Sequence, residues 1–238
     1  MGVQFPTEKF GPLALPLNIM EEFLRFWLWT YFKIFHGVRW RGVRQIPMKG
    51  PCLVAANHLS FYDPGLIGTP IRRRMRFMAY HAYFKIPAVG QLFRFVGAFP
   101  VDTAKADRSA YENSLHVLRE DVDLVIIFPE GARSRCGAIN PIKPGAARLA
   151  QAADAWIVPA VILGPERAWP YTVAVPRLFV GMNVKFYKPF KVEKGESRAD
   201  DAAAAEKAMA HIEALWRRRI RAYTRLRHRR GKPVTYWA

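Results

Sequence analysis

Short apolar runs alternate with stretches of helical spacing along almost the whole chain, and this alternation restricts the fold more than any other feature. The runs are rich in Val, Ile, Leu and Phe and are bounded by Gly, Pro and charged residues, the pattern of buried strands. They predict strands near 38–43, 52–56, 76–79, 98–101, 124–128, 156–162 and 180–187. Helices are predicted near 64–72, 88–95, 106–120 and 145–155. Strands that alternate with helices imply an α/β fold, here a single mixed, mainly parallel sheet flanked by helices. At 238 residues the chain can bury a full core as one unit, and no low-complexity linker or internal repeat divides it. The expected organisation is an N-terminal amphipathic segment over 1–37, an α/β core over 38–195, and a basic C-terminal helix and tail over 196–238.

Two of the predicted strands run directly into residues that carry chemistry. The run from Pro51 to Ala56 leads into Asn57-His-Leu-Ser-Phe-Tyr-Asp63, so Asn57 and His58 fall at a strand exit, where α/β folds place ligands. His58 offers a base, and Asp63 offers a carboxylate able to orient its imidazole. Residues five apart do not align on a helix, so a turn must bring this pair together. Asp63 also precedes Pro64, which marks a helix start with Asp as N-cap and Pro in the first turn. The two roles are compatible if one carboxylate oxygen caps and the other accepts the imidazole proton. Ser60 raises the alternative of a Ser–His–Asp hydrolase, but no Gly-x-Ser-x-Gly elbow surrounds it.

The run ending at Phe128 continues as Pro129-Glu-Gly-Ala-Arg-Ser-Arg135. Gly131 permits backbone angles that other residues avoid, and Glu130, Arg133 and Arg135 fall on an exposed turn. A planar guanidinium suits phosphate, because it donates paired hydrogen bonds. Only Cys52 and Cys136 occur, in no metal-binding spacing, so neither a disulfide framework nor a metal site is expected. Cys136, beside Arg135, leaves a reactive thiol as a further reading.

Together these stretches resemble the glycerolipid acyltransferase family, the group that contains the bacterial lysophosphatidate acyltransferases. The resemblance runs from about Trp40 to Tyr187. It takes in Phe77-Met-Ala-Tyr80, followed by Phe84-Lys-Ile-Pro87 and Gly90, and then Phe95-Val-Gly-Ala-Phe-Pro-Val-Asp102. Further on, Lys143-Pro-Gly145 and the proline-bearing apolar strand Ile157-Val-Pro-Ala-Val-Ile162 are similar to later segments of the family. One position departs. Where the family usually carries an arginine that helps hold the acceptor's phosphate, this chain has Thr103, with Lys105 and Arg108 as the nearest basic candidates.

The resemblance implies transfer of a fatty acyl chain from acyl-CoA or acyl-carrier protein to the free hydroxyl of a lysophospholipid. The expected acceptor is 1-acylglycerol-3-phosphate, giving phosphatidic acid, by direct transfer with no acyl-enzyme, no metal and no cofactor beyond the donor. It makes His58 the general base and Asp63 its orienter. Asn57, Glu130, Gly131, Arg133, Arg135, Lys143 and Arg108 are the expected substrate-binding residues. The alternatives are another lyso-lipid or an aminolipid acceptor, or a basic membrane-binding protein without catalysis.

The two ends of the chain bear on location. Polar residues recur at Asn18, Glu22, Arg25, Lys33 and His36, opposite Met20, Phe23, Trp27, Tyr31 and Ile34. Such a helix suits the membrane interface, or else packs on the sheet or in a dimer. The apolar runs are too short to span a bilayer, and Pro16 and Glu21 argue against a signal peptide. Net charge is +18, and residues 217–232 supply nine Lys and Arg with no acid among them. Ile212, Trp216, Ile220, Tyr223 and Leu226 keep helical spacing there, which predicts a basic amphipathic helix. Anionic lipid headgroups are its natural partner; a purely solvated tail is the alternative. Nucleic acid is the rival partner that such charge would also attract, but no recognised binding signature is present, so none is expected. A peripheral or monotopic protein at the cytoplasmic face of a membrane is the resulting expectation.

Overall fold

The computed structural model describes residues 14–102, 108–121, 123–135, 138–170 and 172–231. In chain order it contains α1 (Ala14–His36), β1 (Arg39–Arg41), β2 (Cys52–Ala56), α2 (Asp63–Gly68), β3 (Met75–Tyr80), α3 (Pro87–Phe95) and β4 (Ala98–Val101). There follow α4 (Arg108–His116), β5 (Leu124–Ile127), α5 (Gly145–Ala152), β6 (Trp156–Leu163), α6 (Pro165–Ala168), β7 (Asn183–Phe186) and α7 (Arg198–Arg229). The strands form one sheet in the order β1-β7-β6-β2-β5-β3-β4. Every neighbouring pair is parallel except β6 and β7. The mixed, mainly parallel sheet flanked by helices is therefore as the sequence predicts.

Every residue of β2 and β5 is buried, which explains why these strands read as continuous apolar runs rather than as alternating ones. Side chains still alternate between faces. Leu53, Ala55, Val125, Ile127, Ile157 and Val161 meet α5 and α7 on one side. Cys52, Val54, Ala56, Ile126, Val158 and Ile162 meet Phe32 of α1 with Leu66 and Ile67 of α2 on the other. Helix α2 stops short of the predicted end, just before Pro70, which has no N–H to continue the ladder. Helix α5 ends in a Schellman turn. Asp154 takes the left-handed position at φ 49°, and the Ala155 N–H donates to Ala150 O.

Both terminal helices depart from a simple reading of their amphipathicity. In α7, Ile212, Trp216 and Ile220 are buried in the main core, so the apolar stripe of this basic helix packs on the sheet and only its charged side and Leu226 remain exposed. The opposite holds in α1. Part of its polar stripe faces the protein: His36 is buried, and the Arg25 guanidinium donates to Ile71 O. Tyr31 hydrogen-bonds Tyr62, and Phe32 packs edge-on against the same ring at 5.5 Å. Burial lowers the His36 pKa from its ordinary value. Meanwhile Ile19, Met20, Phe23, Phe26, Trp27 and Ile34 are each more than half exposed. Among the described residues, no helix is long and apolar enough to cross a membrane.

Trp216 is fully buried where α7 meets the sheet. Trp216→Ala should therefore destabilise the protein by about 3–5 kcal/mol, read by urea denaturation. A loss below about 1 kcal/mol would show that α7 is not part of the cooperative core.

Candidate active site

The site is built where β2 and β5 end. These strands run parallel with Ala55 opposite Ile127, and both chains leave the sheet within two residues. Continuation of that register sets His58 beside Glu130. The His58 N–H donates to Glu130 Oε1 at 2.8 Å, and the His58 carbonyl accepts from the Ser134 N–H at 2.9 Å. The imidazole lies flat on Phe128, with ring centroids 4.0 Å apart and planes within 15°. The histidine is thus fixed through its N–H, its carbonyl and one ring face by a single loop, residues 128–134.

Asp63 fixes the other edge of the ring. It is fully buried, and its Oδ2 accepts from His58 Nδ1 at 2.8 Å. The same oxygen accepts from the N–H groups of Leu59 at 2.5 Å and Ser60 at 2.8 Å. The carboxylate therefore closes the turn between His58 and α2. It is not the N-cap: that position belongs to Tyr62, with no side-chain capping bond, and Asp63 is the first helical residue. The idea that one oxygen caps while the other orients is corrected accordingly, because both the turn and the imidazole use Oδ2. With Nδ1–H directed at Asp63, the lone pair of the neutral ring resides on Nε2. The His58 side chain keeps 18% of its surface exposed.

Several residues expected to touch substrate are engaged by the scaffold. Asn57 is fully buried; its amide N–H donates to Ile162 O at 3.0 Å, and its amide oxygen accepts from Ile162 N–H at 2.8 Å. It splices the end of β2 onto β6. Glu130 is buried too, and its second oxygen accepts from the Asn140 N–H at 2.8 Å. Gly131 closes a tight turn, its N–H donating to Phe128 O at 2.9 Å with φ at 71°, a left-handed angle that glycine adopts without strain. The Ser60 hydroxyl, fully buried, donates to Trp169 O at 2.7 Å, which removes it as a nucleophile toward His58.

The cations sort differently. The guanidinium carbon of Arg133 sits 3.5 Å from the centroid of the Phe61 ring, and Nη2 donates to the Tyr83 hydroxyl at 3.3 Å. Phe61 and Tyr83 were not singled out in the sequence. Phe61 lies inside the histidine motif, whose spacing alone gave no sign that it would carry an arginine. Lys143 is exposed, and its ammonium comes close to Gly131, 3.3 Å from where a Cβ would stand. Arg135 is exposed on the same loop. Arg108 stands apart, with its side chain 90% exposed at the start of α4 and its Nε on Glu112 at 2.7 Å. Thr103, Lys105 and Cys136 lie outside the described residues. Among the described residues, no group of His, Cys, Asp and Glu has metal-ligating geometry.

A family model described as Acyltransferase matches residues 37–163. Over 180 residues the chain is 24% identical to the 1-acyl-sn-glycerol-3-phosphate acyltransferase BAT2, chloroplastic, of Brassica napus, covering 74% of this chain and 52% of that protein. It is 29% identical over 131 residues to the 1-acyl-sn-glycerol-3-phosphate acyltransferase of Bacillus subtilis, covering 55% of this chain and 64% of the relative. The chain thus spans less than two thirds of the length of these curated relatives. Among solved structures, the 1-acyl-sn-glycerophosphate (LPA) acyltransferase, PlsC, from Thermotoga maritima superimposes with a TM-score of 0.61 at 24% identity, covering 84% of this chain and 79% of that one. At that identity the likeness speaks for the fold.

Burial raises the Glu130 carboxyl to about 7 from an ordinary 4.5; its two backbone N–H donors oppose the rise and the charge of Asp63 adds to it. Between pH 4.5 and about 7 the folded protein therefore retains a proton that the unfolded chain has released. Stability from this group is full below 4.5 and is lost as pH rises through about 7. Compared with Glu130→Gln by urea unfolding, the parent should lose about 1–3 kcal/mol of relative stability across that range. A difference between the two proteins that does not change with pH would contradict this.

Proposed function

This chain belongs to the Acyltransferase family, and on that premise we propose that it transfers a fatty acyl chain from a thioester to the free hydroxyl of 1-acylglycerol-3-phosphate, giving phosphatidic acid. The observation that carries the proposal is the 2.8 Å bond from His58 Nδ1 to the buried Asp63, which turns the basic Nε2 outward. The thioester donor is acyl-CoA or acyl-carrier protein.

Nε2 of His58 takes the proton of the acceptor hydroxyl as its oxygen attacks the thioester carbonyl. Asp63 stabilises the imidazolium that forms and keeps the ring in the productive tautomer. A C–O bond forms, the C–S bond breaks, and the imidazolium returns its proton to the departing thiolate. No acyl-enzyme and no cofactor enter this sequence. Because Phe128 and the 128–134 loop fix the ring before substrate arrives, little reorganisation remains for the reaction itself. Arg133, on the loop that holds His58, is the first candidate for the acceptor's phosphate. Arg135 and Lys143 are the weaker partners. Glu130 and Asn57 act by positioning the loop and the strand end rather than by touching substrate.

The acceptor and product are lipids, so the protein is proposed to work at a bilayer surface, on the cytoplasmic side where the thioester donor is soluble. The exposed apolar face of α1 supports that reading, as do the arginines on the outer side of α7.

His58→Ala should lower kcat by about 10²–10⁴-fold with the fold retained, and Asp63→Asn should produce a loss of similar order. A folded His58→Ala protein with near-normal turnover would overturn the base assignment. Arg133→Ala should raise KM for lysophosphatidate by about tenfold or more, since a hydrogen bond to a charged group contributes about 1.5–3 kcal/mol. It should leave KM for the thioester nearly unchanged. Equal kcat/KM for lysophosphatidate and monoacylglycerol, unaffected by Arg133→Ala, would refute the phosphate contact.

A further inference from the structure

The segment between α6 and β7 carries a second exposed apolar group. Val175 is 73% exposed, Leu178 44% and Phe179 77%. Scattered apolar side chains on a surface need no explanation, but these are joined to another patch. The Phe179 N–H donates to Phe35 O at 2.7 Å, and its ring packs on the Phe35 ring at 6.1 Å. Phe35 belongs to α1, whose neighbouring Ile34 is 65% exposed. The exposed face of α1 therefore continues into this segment.

Phe179 also adopts φ 59°, a left-handed angle that disfavours any side chain, and an aromatic one especially. The protein holds this residue in an unfavourable conformation and then leaves most of its ring in water. Strain of this kind persists where the surrounding structure enforces it, and it concentrates at functional positions. The exposed part of the ring is open to a partner outside the chain.

The same segment reaches the candidate active site. Its first residue, Trp169, packs on Phe61 at 5.0 Å, and its carbonyl accepts the Ser60 hydroxyl. Phe61 in turn carries the Arg133 guanidinium. Ring contacts run from Phe179 through Phe35, Tyr31, Tyr62 and Trp169 to Phe61, and so from the exposed patch to the candidate phosphate-binding arginine. Cations sit among the aromatic rings of this surface: Arg177 is exposed beside Leu178, and Lys33 lies over the rings of Trp29 and Trp40 at 5.9 and 5.3 Å. Aromatic and basic side chains together mark a membrane–water interface. A second copy of the chain is a poor match, because two bodies of net charge +18 repel.

We propose that the segment around Val175, Leu178 and Phe179 is a second bilayer-contacting element, which with α1 seats the mouth of the catalytic pocket in an anionic membrane surface. The acyl tail of the acceptor then stays among the lipid chains while its headgroup passes Trp169 and Phe61 toward Arg133 and His58. This rests on the acyltransferase reading and specifies how its lipid substrate arrives.

The test uses the full chain with vesicles of mixed phosphatidylcholine and phosphatidylglycerol. Phe179→Gly removes the ring and accepts the left-handed angle, so its thermal midpoint should equal or exceed that of the parent. Combined with Val175→Ser, it should weaken vesicle binding about tenfold, equivalent to about 1.4 kcal/mol. Turnover of a water-soluble short-chain lysophosphatidate should be unchanged, while turnover of the same acceptor class embedded in vesicles should fall with binding. Parent-like vesicle binding by the double variant overturns the proposal, even if Phe23→Ser/Trp27→Ser in α1 abolishes binding. A parent dimer that the double variant splits into monomers also overturns it, by making the patch a subunit interface. If the parent turns over neither acceptor, the acyltransferase reading fails, and the vesicle arm still decides whether the surface binds membrane.

Discussion

A single buried oxygen, Oδ2 of Asp63, organises the candidate active site of this molecule. It accepts three hydrogen bonds, from the His58 ring and from the N–H groups of Leu59 and Ser60. Without such donors the desolvation of a fully buried carboxyl group would go uncompensated. Those donors are the groups that shape the turn, so the burial of the carboxyl group and the geometry that presents the imidazole have one cause. This explains how residues five apart in sequence come to share a hydrogen bond: the backbone between them wraps the carboxylate.

The second constraint is the parallel pairing of β2 with β5. It delivers two loops to the same end of the sheet, where each holds the other. Glu130 ties His58 to Asn140, Ser134 returns to the His58 carbonyl, and Phe128 forms the floor beneath the ring. Arg133 arrives on this loop and is laid across Phe61, from the histidine motif itself. His58 and Arg133 are thus positioned by the two segments that supply them. Asn57, bonded at both ends to Ile162, extends the same bracing to β6.

Much of this was legible in the sequence, for identifiable reasons. Strands β2, β4 and β5 follow from apolar runs cut off by turn residues, and the expected pairing of His58 with Asp63 rests on the family that the two motifs resemble, with a turn required to bring the residues together. Side-chain commitment was not legible. Asn57 and Glu130 are polar residues beside His58, and only the fold reveals that backbone groups engage both ends of each side chain. The capping reading of Asp63 failed because the preceding turn offers its N–H groups to the carboxylate. Helix periodicity located the amphipathic faces of α1 and α7 but not what each face meets. Ile212 and Trp216 turned out to be core, while Phe23 and Trp27 remained exposed.

Direct transfer promoted by His58 is tested most directly by following the acyl group. The purified chain is mixed with a labelled acyl thioester, with and without lysophosphatidate, and both free thiol and labelled products are quantified. The predicted result is labelled phosphatidic acid in equal amount to released thiol, with neither formed when the acceptor is omitted. Labelled fatty acid released without acceptor, or label retained covalently on the protein, would contradict it.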